Sequence, residues 1–188
     1  MNKLTKTAIV AALFSLSLTA CEKIENATQK PAQTQAQHTE QSDFQTFLTW
    51  NKTQTPSLNQ AQEVFKQSLE QAREEKSAEK AQDAVNVYVQ SVEQAVAALD
   101  KLDIQVDSVK SLKDNTKAAL LLSIEVLKEQ IQSSQAKPSE NAKATLNDKL
   151  AKLVELMAQV EKENDALAAK YAPKPAENAA PESNSDAK

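Results

Sequence analysis

Few side chains in this sequence could do chemistry by type and spacing. They are one cysteine (Cys21), one histidine (His38), a serine and a lysine three residues apart (Ser77 and Lys80), and carboxylates scattered among lysines. Ser77-Ala-Glu-Lys80 has the Ser-x-x-Lys spacing of serine acylases. That chemistry also needs a Lys-Thr-Gly partner, and the chain contains no glycine. Ser77 therefore reads as a turn residue or helix cap. His38 lies in a polar stretch outside any apolar stripe. Histidine-based zinc sites, a Ser-His-Asp triad and a Glu-x-x-His di-iron site in a bundle all lack their imidazole. Glu70, Glu74, Glu93, Glu125, Glu129, Glu155 and Glu161 sit among lysines. They read as solvated helix faces, with side-chain pairs worth about 0.2–0.5 kcal/mol each. The expectation is a non-enzymatic protein with no catalytic residue, no metal and no cofactor.

Cys21 is different, because of what precedes it. Met1 to Thr7 carries Lys3 and Lys6 and no acid, and Ala8 to Ala20 is uncharged and mostly apolar. A basic start, a short apolar run and small residues before a cut describe a secretory signal peptide over 1–20. The run falls short of the roughly 20 apolar residues that span a bilayer. Leu18, Thr19 and Ala20 then meet Cys21. This resembles the lipobox of bacterial lipoproteins. The resemblance covers residues 1 to 21. It implies a thioether-linked diacylglycerol on Cys21, cleavage before it, and palmitate-type acylation of the new amino terminus. An ordinary signal peptide with an incidental cysteine is the alternative. A free exported thiol would risk intermolecular pairing, whereas an alkylated one cannot form a disulfide. Several acyl chains anchor stably, at about 0.8 kcal/mol per buried CH₂. In such lipoproteins an aspartate after the cysteine favours the inner membrane. Glu22 stands there instead, so the resemblance implies an outer-membrane anchor facing the periplasm.

The elements behind these residues are helical. The formal net charge is −4, and loss of Lys3 and Lys6 makes the mature chain more acidic. Such a chain has no use for nucleic acid, whose binding rests on neutralising phosphates. Without glycine, tight hairpins and phosphate-cradling loops lose their usual residue, and long helices with few turns suit the composition. Residues 21–42 are polar and read as a lipidated, disordered tether, with an end-to-end distance of roughly 25 Å. Residues 173–188 read as a disordered tail. The bundle occupies 43–172.

Phe44, Phe47 and Leu48 predict a short amphipathic helix. Thr55 and Pro56 then open a longer one, with Thr55 as cap. Leu58, Ala61, Phe65, Ser68 and Ala72 form its stripe. Ala81, Val85, Tyr88, Val92, Ala95, Leu99 and Leu102 form the next. The phase change at 73–80 admits a turn near Ser77 or one helix over 57–102 with a stutter, and the turn is the preferred reading. Asp107 is expected to cap a third helix with the stripe Val109, Leu112, Thr116, Leu120, Ile124, Leu127 and Ile131. Pro138 opens the last, with Leu146, Leu150, Leu153, Met157, Val160, Asn164, Leu167 and Tyr171. The fold class is all-α: an antiparallel up-down bundle of three to four long helices, packed at shallow angles.

Two groups could face a partner. Leu122 and Val126 lie off the main stripe of the third helix. They are either core, because that helix touches two neighbours, or a face for a partner helix or apolar ligand. Phe44, Phe47 and Trp50 either pack back on the bundle or form a membrane-proximal or partner-binding patch. A protein partner in the envelope is expected from both. Cys21, the near-heptad stripes and Lys188 also resemble the murein lipoprotein, whose terminal lysine is joined to peptidoglycan. This chain departs from it in length, in its internal turns and in its acidic tail.

Overall fold

The computed structural model describes residues 38–135 and 139–171. They form α1 (Glu40–Glu74), α2 (Ala78–Asp100), α3 (Asp107–Gln135) and α4 (Glu140–Tyr171), with no strand among the described residues. Each helix packs on the next, and α3 also touches α1. The alternation of direction is visible in cross-helix pairs. Phe65 on α1 stacks on Tyr88 of α2 at 5.1 Å between centroids. Trp50 Nε1 donates to the Ala95 carbonyl at 3.2 Å. Ser111 near the start of α3 meets Glu163 near the end of α4.

α1 begins earlier than the polar composition of 21–42 implied. Thr39 caps it: its Oγ1 accepts from the Ser42 N–H at 3.1 Å, and Ser42 Oγ accepts from the Thr39 N–H at 2.9 Å. This reciprocal box satisfies two amides that the first turn leaves without carbonyl partners. Residues 38–42 therefore belong to the bundle. α1 also runs straight through Pro56, so the expected break there is corrected. Pro56 cannot donate to the Lys52 carbonyl, but Lys52 is exposed, and water can take that acceptor. Thr55, expected as a cap, instead donates its hydroxyl to the Asn51 carbonyl at 2.8 Å. Phe44 and Phe47 before the proline and Phe65 and Leu69 after it enter one core, and that shared burial carries the helix across.

The preferred turn near Ser77 is present. The Ser77 N–H bonds the Ala72 carbonyl at 2.9 Å and the Lys76 N–H bonds Arg73 at 3.2 Å. This double bond pattern needs a left-handed residue between helix and exit. Lys76 supplies it, with φ 53°, because no glycine is at hand. Ser77 then caps α2, its Oγ accepting from the Lys80 N–H. Asp107 is the first residue inside α3 rather than its cap, since the Val106 carbonyl accepts from Val109 and Lys110. Ser139 caps α4, while Pro138 lies outside the described residues.

The main core joins the stripes of α1, α2 and α3 to the C-terminal part of α4, through Val160 and Leu167. The N-terminal half of α4 packs differently. Leu153 meets Ala119 and Val126 of α3 in a separate seam, flanked by the partly buried Leu122, Leu146, Leu150, Leu156 and Met157. Beside that seam Lys149 lies 3.0 Å from Glu125 and 2.5 Å from Glu129, and the two carboxylates raise its pKa, Glu129 the more.

Candidate functional site at the entry pole

Three segments converge at one end of the bundle: the start of α1, the α2–α3 loop and the end of α4. This is the end at which the chain from Cys21 enters. Its polar side chains are engaged with one another.

Asp43 is the inner member, only 2% exposed although charged. A carboxylate survives there because its lone pairs are used. Oδ2 accepts from the Gln105 N–H at 2.8 Å and the Val106 N–H at 2.9 Å, and Oδ1 lies 2.8 Å from His38 Nδ1. Burial pushes its pKa up, but these hydrogen bonds outweigh burial and hold it below its ordinary value. Asp43 thus serves amides at the entrance of α3 from a different helix. Lys113 does the converse for α2. Its Nζ donates to the Leu102 carbonyl at 2.9 Å and reaches that of Asp100 at 3.4 Å. The six-residue connection is held from both sides.

Glu40 is the outer member. It accepts from Lys170, from Ser108 Oγ at 2.6 Å and from the Tyr171 hydroxyl at 2.5 Å. Lys170 first, then Ser108 and Tyr171, draw its pKa down to about 2. Lys170 and Tyr171 are shifted upward in return, each mainly by Glu40. Below this clasp the Tyr171 ring lies 6.2 Å from that of Phe44.

His38 sits between two carboxylates. Nδ1 faces Asp43, and Nε2 is 3.3 Å from Asp103 Oδ2. Among the described residues, no three His, Cys, Asp or Glu side chains converge on a point that could hold a metal ion.

The residues singled out from the sequence fall elsewhere. Phe44, Phe47 and Trp50 are buried in the main core, so they form no outward patch. Phe47 packs on Trp50 at 5.6 Å. Val126 is fully buried against α4, and Leu122 lies half-buried beside it. As a pair they line a helix–helix seam rather than an open face. Cys21, Leu18, Thr19, Ala20 and Lys188 lie outside the described residues. The polar pole was missed. The signal for it was Thr39 followed by Glu40, Ser42 and Asp43, a cap with acids in its first turn.

No helix among the described residues is long and apolar enough to cross a membrane. Four helices, a closed core and a polar entry pole define an all-α bundle protein. The chain belongs to the family described as uncharacterised lipoprotein PM1805, whose family model matches residues 41–172. It is a lipoprotein whose bundle is the family domain. Neither the curated proteins nor the solved structures yield a match.

Proposed function

We propose that this lipoprotein is a non-enzymatic interaction or structural module of the bacterial envelope. Lipid on Cys21 holds it at the outer membrane, facing the periplasm, where the bundle meets a protein partner. The observation that carries this reading is the lipobox, Leu18 to Ala20, placed directly before the only cysteine of a chain whose bundle is a lipoprotein-family domain. The packing is consistent with it. The aromatic side chains at the start of α1 are spent on the core, and the polar groups of the entry pole neutralise one another instead of activating a nucleophile.

A second reading is favoured by the α3–α4 seam. Leu122, Leu146, Leu150 and Met157 are only partly buried around Val126 and Leu153. An apolar ligand or a partner helix would pack against these partly exposed side chains.

Feeding cells an alkyne fatty acid and separating their membranes by density tests the first reading. Label should appear on the wild-type chain in the outer-membrane fraction and vanish with Cys21→Ser. An unlabelled wild type, or label surviving in Cys21→Ser, would end it.

A further inference from the structure

His38 is the one side chain of the entry pole whose two polar atoms both face carboxylate oxygens. Nδ1 is 2.8 Å from Asp43 Oδ1, and Nε2 is 3.3 Å from Asp103 Oδ2. A neutral imidazole has one N–H donor and one lone-pair acceptor. In either tautomer it would set a lone pair against one of these carboxylates. Only the imidazolium, with two donors, satisfies both. Asp43 does not supply the missing proton, because the two backbone N–H groups it accepts favour its ionised form and hold its pKa below the ordinary carboxylate value.

We propose that His38 is a proton-operated latch: as an imidazolium it ties the α1 entrance, through Asp43, to the α2–α3 loop, through Asp103. Proton loss opens one arm only. The Asp43 contact is the shorter and its carboxylate is buried. The neutral ring therefore keeps its proton on Nδ1, and the exposed Asp103 is released. Asp43 goes on holding the Gln105 and Val106 amides, and Lys113 the Leu102 carbonyl, so the bundle and the loop backbone stay in place while the Asp103 side chain is freed.

The surrounding charges leave the ring to these two partners. On α1 Asp43 faces it, and on the loop Asp103 does. Glu40 of α1 is paired with Lys170 of α4, and α3 offers Ser108 to that same Glu40. The imidazole is shifted above its ordinary pKa of 6.5, first by the hydrogen bond to Asp43, and Asp103 adds to it.

As the only histidine of the sequence, His38 can be followed unambiguously by NMR in the chain from residue 21 onward, held in detergent micelles. The ring should titrate above 6.5, and its nitrogen shifts should report the Nδ1–H tautomer on the alkaline side. The carboxyl carbon of Asp103 should move with the same midpoint. Asp103→Asn should lower the ring midpoint by a few tenths of a unit without changing the fold, and His38→Gln should abolish the Asp103 step. A ring that titrates at or below 6.5 would overturn the latch. So would a midpoint indifferent to Asp103→Asn, or an Nε2–H tautomer in alkali.

Discussion

Asp43 does more for this fold than its single charge suggests. A buried carboxylate without partners would be expelled or protonated. Here it is kept ionised by two amides of another segment and by His38. Removing it leaves the Gln105 and Val106 N–H groups without their acceptor inside the fold. Asp43→Ala should therefore lower stability by about 1–3 kcal/mol, measured by urea unfolding at neutral pH. Asp43→Asn, which keeps one acceptor oxygen, should lose less. Equal losses in the two variants would show that charge, not the accepted amides, is what matters.

At the scale of elements, the α1–α2 turn and the α3–α4 seam each make a measurable claim. Lys76 holds a left-handed conformation that costs an L-residue roughly 1–2 kcal/mol. Glycine escapes that strain but gives the unfolded chain more freedom, worth about 0.4–1 kcal/mol. Lys76→Gly should therefore stabilise the protein by about 0.5–1 kcal/mol, seen as a higher thermal midpoint. The seam is tested by a pair of valines. Val126 on α3 is 0% exposed and Val154 on α4 is 66% exposed. Val126→Gln buries an amide among apolar neighbours and should cost about 2–3 kcal/mol. Val154→Gln should stay within about 0.5 kcal/mol of wild type. A midpoint unchanged by Val126→Gln would mean that the seam opens freely and would favour the ligand-binding reading. Asn164, on the same helix as Val154, is 2% exposed with an Oδ1 that has no hydrogen-bond partner among the described residues. A single buried amide of this kind can set helix register at a cost in stability.

For the whole molecule, the charges of the entry pole shape the pH range of stability, with Glu75 at the α1–α2 turn, whose pKa Lys80 holds down, adding to the acid side. Glu40 and Asp43 have lowered pKa values in the fold. Their contribution is complete above their ordinary values of 4.5 and 3.8. It is lost as pH falls through the folded values, which for Glu40 is about 2. His38 has the opposite sign. Its contribution is complete below 6.5 and fades as pH rises through its raised value. Urea midpoints should therefore form a plateau between about 4.5 and 6.5 and fall on both sides. Glu40→Gln should flatten the acid limb and leave the alkaline one, because a side-chain amide does not titrate. An acid limb unchanged by Glu40→Gln would place the acid sensitivity elsewhere.

Local pattern was enough for the fold class and the third-helix stripe, while at Ser77 it favoured a turn over one helix through 57–102 without deciding between them. Val109, Leu112, Leu120, Ile124, Leu127 and Ile131 all lie in the main core. Helical spacing alone selects them, since burial of one face is a periodic property of the chain. Features that depend on partners distant along the chain needed the packed bundle. Pro56 was legible as a breaker, yet the shared burial of Phe44, Phe47, Phe65 and Leu69 kept the helix whole. His38 and Glu40 read as solvated tether residues because nothing local shows their partners. Asp103 lies on a loop two helices beyond His38, and Lys170 lies 130 positions from Glu40. Periodicity reports which face a residue occupies. Only packing brings opposite ends of the chain close enough for hydrogen bonds to hold a charge.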